Sequence, residues 1–331
     1  MDFIDKNFTL QVHEDALRVL EEVGVKCTSL RLRQVFEDTG LAAYDDSTGH
    51  LHILPALVEQ TLNTVPKRDS YWIPENSFGI GGTAPFVYDD NTDDLIAPTF
   101  EHLKRIAQIA EEADVVQFMA RGVLIPQQET AVIDTIVEHC NKPIYVAVIT
   151  PAGIARAKEI HETRAKITVQ FSIINSPLNV IESMIEPFIA CVESGLPIYV
   201  SSMPMAGLSG PYSMSSLLTL THAEALFGIA FAQLLNPGLM VVHAGLPSIA
   251  DVNQNYAVNL GTMSHNVANL LMEKVNKLLN IPSIQTACTT SQAKPNQLAE
   301  EEAVEGFAIM KKYGFHQMRH CFGFLSELIS F

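Results

Sequence analysis

The chain has 331 residues, of which 47% are hydrophobic and 18% are charged, a globular composition that argues against disorder. Its 21 basic and 37 acidic residues give a formal net charge of −16, which argues against nucleic acid as a partner. The length fits one large α/β barrel or two ordinary domains.

The cysteines and the apolar segments bear on the cellular compartment of the protein. The five cysteines form no CxxC pair and are odd in number, which indicates reduced thiols rather than a disulfide framework. The N-terminal segment MDFIDKNFTL is acidic and lacks the apolar core of a signal peptide. The most apolar stretch, 217–242, is interrupted by polar residues and Pro237, which predicts a buried helix followed by a strand. We therefore expect a cytoplasmic protein without a membrane partner.

The N-terminal region has helical periodicity in the segments 13–25, 31–40 and 55–66. Glycine or proline stands at the end of each segment, where a helix stops. We expect residues 1–75 to form an N-terminal helical cap on a second region, 76–331.

From about residue 76, short apolar runs alternate with amphipathic segments of helical length. The eight predicted strands are 78–82, 115–121, 143–150, 168–174, 197–203, 239–245, 282–288 and 314–321. The seven predicted helices between them are 99–113, 129–139, 152–165, 180–194, 213–235, 255–280 and 296–313. Strict alternation of this kind predicts a parallel sheet with right-handed crossovers.

Eight such units predict an α/β fold of the (β/α)8 TIM-barrel class. An open doubly wound sheet is the competing fold, but its nucleotide-binding turn is missing because GIGGTAP at 79–85 lacks the GxGxxG spacing. The eighth unit is followed only by GFLSELISF, so we expect a barrel truncated before most of its eighth helix and any C-terminal extension. The apolar surface exposed by such a truncation would need a partner or would cost stability, and we also expect a homo-oligomer.

In TIM barrels the chemistry is located at the C-terminal ends of the strands. Aromatic residues near these ends could form a pocket for a quaternary ammonium ion, which interacts with the faces of aromatic rings. These aromatic residues are Phe86, Tyr88, Phe171, Tyr212, Tyr256, Phe322 and Phe324. Polar candidates near the same ends are Arg121, Asn175, His243 and His320.

The common catalytic patterns are absent from the sequence. There is no HExxH motif, no Cys/His metal spacing and no GxSxG elbow, and no strand end carries a lysine or an obvious pair of carboxylates. One alternative remains from another enzyme class: His243, His316 and His320 could surround the metal of a TIM-barrel lyase or hydrolase. No residue is assigned a catalytic role.

Four stretches resemble one protein family: HEDALRVLEEVGV at 13–25, PALVEQTLNTVP at 55–66, PMAGLSGPYS with AEALFGIAFAQLLNPG at 204–238, and PSIADV at 247–252. The family is the trimethylamine methyltransferase superfamily, in its non-pyrrolysine quaternary-amine branch. In the segment MRHCFG, His320 matches a histidine-rich end of the eighth strand in this family, whereas Arg319 departs from it.

The resemblance implies a methyltransferase that moves a methyl group from a quaternary amine to the Co(I) corrinoid of a partner protein. It implies substrates such as glycine betaine, proline betaine or carnitine, a role in methanogenesis or acetogenesis, and no metal or nucleotide bound by this chain. For such a substrate we expect aromatic rings from Phe86, Tyr88, Phe171 and Tyr212 to hold the ammonium. The substrate carboxylate would be held by one or more of Arg121, Asn175, His243 and His320. A non-catalytic betaine-binding protein is the further alternative.

Overall fold

The computed structural model describes residues 6–253, 256–325 and 329–330. These residues form an α/β fold in which ten α-helices alternate with short strands. The helices are α1 (Lys6–Arg18), α2 (Leu30–Glu37), α3 (Pro55–Thr64), α4 (Phe100–Glu112), α5 (Glu129–His139), α6 (Pro151–Thr163), α7 (Ile185–Glu193), α8 (Met214–Leu235), α9 (Met263–Leu279) and α10 (Gln297–Tyr313). 

The strands include a long parallel set and several short pieces. They are β1 (Val25–Lys26), β2 (Ala42–Asp45), β3 (His50–Ile53), β4 (Ser77–Ile80), β5 (Phe86–Asp89), β6 (Asp94–Ile96), β7 (Phe118–Ala120), β8 (Ile144–Val146), β9 (Ile167–Phe171), β10 (Ile174–Asn175), β11 (Asn179–Val180), β12 (Ile198–Ser202), β13 (Met205–Ala206), β14 (Val241–Gly245), β15 (Ser248–Asp251), β16 (Ala257–Val258), β17 (Ile284–Thr286), β18 (Gln317–Arg319) and β19 (Ile329–Ser330).

Eight of these strands form one sheet in the order β14-β12-β9-β8-β7-β4-β18-β17. A parallel bridge between His243 and Ser283, the residue before β17, brings the two ends of this order together. The helices α4 to α10 follow the first seven of these strands along the chain. The sheet is therefore a nearly closed eight-stranded parallel barrel, and the predicted TIM-barrel class is confirmed.

The chain divides into two compact units, each built from separate stretches of sequence. Unit 1 comprises Met1–Tyr71, Phe171–Ser248 and Leu271–Ser283, and unit 2 comprises Trp72–Gln170, Ile249–Leu270 and Ile284–Phe331. The predicted division into a cap at 1–75 and a barrel at 76–331 stays a prediction.

Unit 1 joins the N-terminal strands to a turn that follows β9. The strands β10, β11, β1, β3 and β2 form a five-stranded sheet in this order. Lys26 of β1 pairs with Asn179 of β11 in parallel, and the backbone amide of Lys26 donates to the carbonyl of Leu178 at 2.8 Å. The N-terminal region thus contains strands as well as the three predicted helices.

Helix α8 is the central helix of unit 1. It is long and apolar enough to span a membrane by length and composition, but 83% of its 18-residue apolar stretch is buried inside the protein. Phe36 of α2 stacks on Phe227 of α8 with ring centroids 5.3 Å apart. The strand β14 follows α8, so the predicted sequence of a buried helix and a strand is confirmed.

In unit 2, the contacts of Phe78 identify the face of β4 and β18 that is directed to the helices. Met318 of β18 pairs with Phe78 of β4, and the Phe78 ring contacts the Phe307 ring of α10 with centroids 5.0 Å apart. Because side chains alternate along a strand, Gln317 and Arg319 point to the opposite face, the barrel interior. The Tyr145 hydroxyl of β8 donates to the Gln317 amide oxygen, past the two strands that lie between β8 and β18.

Candidate functional site

Close packing of two glycines shapes the ends of the first two barrel strands, β4 and β7. Gly81 and Gly122 have φ angles of 80° and 83°, in the region that favours glycine. A Cβ added to Gly81 would lie 3.0 Å from the Gly122 Cα atom, so a side chain there would push the two segments apart. This contact fixes the backbone on both sides of Arg121, the residue that ends the second predicted strand.

Arg121 is a buried cation whose hydrogen-bond partners, in the part of the chain that the structure describes, are backbone carbonyls. Its Nη2 donates to the Ile125 carbonyl at 3.1 Å and its Nη1 to the Ala147 carbonyl at 3.5 Å. Within the described residues its buried Nε has no hydrogen-bond partner and the guanidinium forms no ion pair. Burial lowers the pKa of Arg121, since a charged group is costly to remove from water, and the negative charge of Glu129 opposes this effect only in part. The arrangement suits an anionic ligand, which would supply both the missing acceptor and the opposite charge.

His320 lies at the end of the eighth barrel strand in a tightly defined position. Its Nδ1 lies 2.8 Å from the Thr286 hydroxyl, at the end of the neighbouring strand β17. Its ring stacks on Phe324 with centroids 4.3 Å apart and an interplanar angle of 5°. Burial and the adjacent Arg319 guanidinium lower the pKa of His320, which keeps the imidazole neutral at pH 7.

Gly82, which follows the first barrel strand, borders His320 directly. A Cβ on Gly82 would lie 2.5 Å from His320 Nε2 and 2.7 Å from the Phe324 ring. Glycine is therefore needed for the histidine to keep its position. Since β7, β4, β18 and β17 are consecutive in the sheet, Arg121, Gly82 and His320 follow three adjacent strands of unit 2.

A cavity of about 660 Å³ lies within unit 2 between helix α10 and the segments that follow β17 and β18. Arg121, Gly82 and His320 are not part of its lining. Its lining includes Cys288, Phe307, Cys321, Phe322 and Phe324. This volume lies in the range of small-molecule sites. Two of its aromatic rings, Phe322 and Phe324, belong to the set that the sequence predicted for a pocket.

Phe86 and Tyr88, the other predicted aromatic residues of unit 2 near the first strand, lie on the hairpin strand β5. Phe86 is 47% exposed, so about half of its surface is accessible. The Tyr88 hydroxyl donates to Asp93 at 2.5 Å, which raises its pKa to about 12, and the Lys294 ammonium lies 5.8 Å from its ring centroid. Tyr88 thus already contacts a cation of the protein itself.

The predicted site residues of unit 1 lie in different environments. Phe171 is fully buried and packs edge-on against Phe188 of α7, with centroids 5.3 Å apart, so it contacts the helix layer. Asn175 is exposed on β10, and Tyr212 is 75% exposed in the loop before α8. Tyr256, the last predicted aromatic residue, is 47% exposed in unit 2. No contact joins Phe171, Asn175 and Tyr212 to one another among the described interactions.

His243 belongs to a chain of three histidines that connects β14 to α8 and α1. The Gly245 amide donates to His243 Nδ1 at 3.1 Å, so the proton of the neutral ring is assigned to Nε2. This Nε2 lies 2.9 Å from His222 Nδ1, and His222 Nε2 lies 3.0 Å from His13 Nδ1. Both ring nitrogens of His243 are therefore used inside the protein, and burial lowers its pKa to about 3.

The three histidines of the metal alternative each have a separate partner. His243 bonds to His222, His316 Nε2 lies 3.1 Å from the Ile73 carbonyl, and His320 bonds to Thr286. Across the described ranges, no group of three His, Cys, Asp or Glu side chains is placed to hold a metal ion.

Sequence reasoning missed several polar groups that the structure brings to the strand ends and the barrel interior. In unit 1, the buried Glu224 of α8 accepts hydrogen bonds from Ser176 and from Ser202, the last residue of β12. In unit 2, Tyr145 and Gln317 bond to each other inside the barrel. The strand-end positions of Ser202 and Gln317 could be read from the sequence, but their partners could not.

An α/β barrel with a buried cation and aromatic rings at its strand ends defines a class of small-molecule enzymes rather than one activity. The sequence resolves the class further, since the family described as "Trimethylamine methyltransferase (MTTB)" matches residues 1–331. The chain belongs to this family of methyltransferases.

Curated relatives share about a quarter of their residues with this chain. The glycine betaine methyltransferase of Desulfitobacterium hafniense is 26% identical over 275 residues, which are 73% of this chain and 55% of the relative. The L-carnitine:corrinoid methyltransferase of Eubacterium limosum is 25% identical over 289 residues, 76% of this chain and 57% of the relative. The trimethylamine methyltransferase MttB of Methanosarcina barkeri is 22% identical over 321 residues, 88% of this chain and 64% of the relative. The chain thus spans between half and two thirds of the length of these relatives.

Proposed function

We propose that the protein takes part in transferring a methyl group from a betaine-type quaternary amine to the corrinoid of a partner protein. Family membership supports the reaction class, and relatives named for glycine betaine and carnitine support the substrate class. The same family includes enzymes named for trimethylamine, which has no carboxylate. The choice between the two substrate classes therefore needs an observation from this chain.

The environment of Arg121 favours a betaine over trimethylamine as the substrate. Its guanidinium is buried, lacks an ion pair and has a free Nε donor among the described residues. A buried cation without a directly bonded carboxylate is costly, and the charge of Glu129 acts on Arg121 without an ion pair. A ligand carboxylate would lower that cost with charge-assisted hydrogen bonds. Trimethylamine would leave the guanidinium unpaired. We therefore assign the substrate carboxylate to Arg121.

Aromatic residues of unit 2 are suited to bind the quaternary ammonium group, at the other end of the substrate. Aromatic rings follow the first strand at Phe86 and the eighth strand at Phe322 and Phe324. The faces of such rings attract a quaternary ammonium ion by about 0.5–2 kcal/mol each. His320 is held neutral by burial, so it adds no positive charge that would repel the ammonium.

The proposed reaction does not require an acid or a base from this chain. The corrinoid of the partner supplies the nucleophile that receives the methyl group. A quaternary ammonium already carries its positive charge and leaves as a neutral tertiary amine, so no proton has to be delivered. The residues of this chain then orient the amine and exclude water from it.

Methyl transfer should be measured with the purified protein, its reduced corrinoid partner, and glycine betaine, proline betaine, carnitine, choline and trimethylamine. We expect turnover of at least one of the three substrates that carry a carboxylate, and little turnover of choline or trimethylamine. Arg121→Gln should lower kcat/KM for the best betaine by roughly 10- to 100-fold, because it removes charge-assisted bonds worth about 1.5–3 kcal/mol.

Arg156→Lys is the matched control, because Arg156 lies on α6 and pairs with Asp134 and Glu159 at the surface. It should leave turnover unchanged. Equal turnover of choline and betaine, or an unaffected Arg121→Gln protein, would contradict the assignment. Betaine binding without methyl transfer would favour a sensor instead.

A further inference from the structure

Glu224 is a buried carboxylate that the proposed reaction does not use. It lies on α8 with 1% of its surface exposed. Its oxygens accept hydrogen bonds from the Ser176 hydroxyl at 2.7 Å, from the Leu178 amide at 2.8 Å and from the Ser202 hydroxyl. Burial raises the pKa of Glu224, whereas these donors lower it. All three donors come from two strand ends, one after β9 and one at β12.

The backbone of Leu178 connects this carboxylate to the N-terminal sheet of unit 1. Its amide donates to Glu224, and its carbonyl accepts from the Lys26 amide at 2.8 Å. Leu178 has a φ of 49°, a left-handed conformation that a leucine adopts only when its surroundings enforce it. The hydrogen bonds of the Leu178 amide and of the Leu178 carbonyl hold the two peptide groups on either side of its Cα atom, and so supply that enforcement.

The connected segment is the turn 174–180, which we name the β10–β11 turn. It contains Asn175, one of the polar residues that the sequence predicts near the substrate, on the exposed side. It follows β9, so it lies at the end of a barrel strand where TIM-barrel chemistry is located. Without the Glu224 carboxylate, the Ser176 hydroxyl and the Leu178 amide would both lose their acceptor.

We propose that Glu224 is a positioning residue that holds the β10–β11 turn against the end of β12 and thereby sets how tightly the substrate is bound. The inference deepens the proposed function and rests on it for its effect on substrate. Its structural part, the fixation of the turn, is independent of which substrate is used.

Two measurements on the same variants test the proposal. Hydrogen exchange of the amides in 174–180 reports the turn directly, and the KM and kcat of betaine-dependent methyl transfer report its consequence. Glu224→Ala should speed exchange of the Leu178 amide by about tenfold or more, because it removes the acceptor of that amide. It should raise KM about tenfold with a smaller change in kcat. Glu224→Gln keeps one acceptor oxygen for the Leu178 amide and should restore most of both values.

Ser176→Ala is the milder variant, since it removes one hydrogen bond of the turn and keeps the carboxylate. If Glu224→Ala does not fold, the same exchange and kinetic measurements on Ser176→Ala test the proposal. Glu193→Gln is the matched control, because it removes only the exposed ion pair with Arg31. Unchanged exchange in 174–180, or an equal defect in Glu224→Gln and Glu224→Ala, overturns the proposal. If the wild-type protein transfers no methyl group from any betaine, the proposed function fails, and exchange alone then decides whether Glu224 fixes the turn.

Discussion

At the scale of single residues, the position of His320 depends on the absence of a side chain at Gly82. Gly82→Ala would place a Cβ 2.5 Å from His320 Nε2. The ring cannot move away freely, because it stacks on Phe324 and bonds to Thr286. We expect the variant to lose about 1–3 kcal/mol of stability, the usual cost of overpacking. Methyl transfer should fall with it, as measured by urea unfolding and steady-state kinetics.

Gly40→Ala separates the effect of contact from that of backbone strain. Gly40 has a φ of 70° and no atom within 4 Å of an added Cβ. Its replacement should cost about 1 kcal/mol from backbone conformation alone and leave methyl transfer intact. A Gly82→Ala protein with wild-type turnover would show that His320 tolerates displacement.

The sequence predicts which residues lie at strand ends better than it predicts the directions and partners of their side chains, for a physical reason. Strand ends are visible in the apolar pattern, which is why Arg121 and His320 could be selected. Predicting the side to which a residue points requires the exact register of the strand, and the predicted strand starts differ by one to three residues from the observed ones. Phe171 therefore contacts the helix residue Phe188. Glu224 was missed because its donors lie 22 to 48 residues away in the chain.

At the scale of elements, all eight barrel strands and the seven helices between them are found close to their predicted positions. Their lengths and their glycine or proline boundaries are local properties of the sequence. The five-stranded sheet of unit 1 was not predicted, because β1, β10 and β11 have two residues each. Such short strands depend on pairing between distant segments, as between Lys26 and Asn179.

The histidine chain is an element-scale contact, since it joins α8 to both β14 and α1. His222→Leu would leave the His243 Nε2 proton and His13 Nδ1 without partners. We expect a loss of about 2–5 kcal/mol in the free energy of unfolding, since each unsatisfied buried group costs about 1–3 kcal/mol. Urea unfolding of His222→Leu, His243→Leu and the double variant tests the coupling. The double variant should lose clearly less than the sum of the single variants, and strict additivity would contradict a hydrogen-bonded chain.

At the scale of the whole molecule, buried histidines couple folding to pH. Burial lowers the pKa of His243 to about 3 and of His265 to about 4, and it lowers the pKa values of His13, His222 and His320 as well. In the unfolded chain each histidine titrates near pH 6.5. Between that pH and the folded pKa, the unfolded chain binds more protons than the folded protein. The contribution of these neutral histidines to the free energy of unfolding is therefore fully present above about pH 6.5 and is lost as the pH falls.

The free energy of unfolding should be highest between about pH 7 and 8 and should fall steeply between about pH 6 and 5. Above about pH 8 it should fall as well, because burial raises the pKa of the Cys27, Cys140, Cys191 and Cys321 thiols, which then ionise first in the unfolded chain. Each histidine that stays neutral contributes a slope of up to about 1.4 kcal/mol per pH unit in that window. Urea unfolding at half-unit intervals measures the slope. His265→Leu removes one such group, so its slope should be shallower by up to this amount whatever its stability at pH 7.5. A flat profile from pH 7 to 5 would be incompatible with neutral, buried histidines in the folded protein.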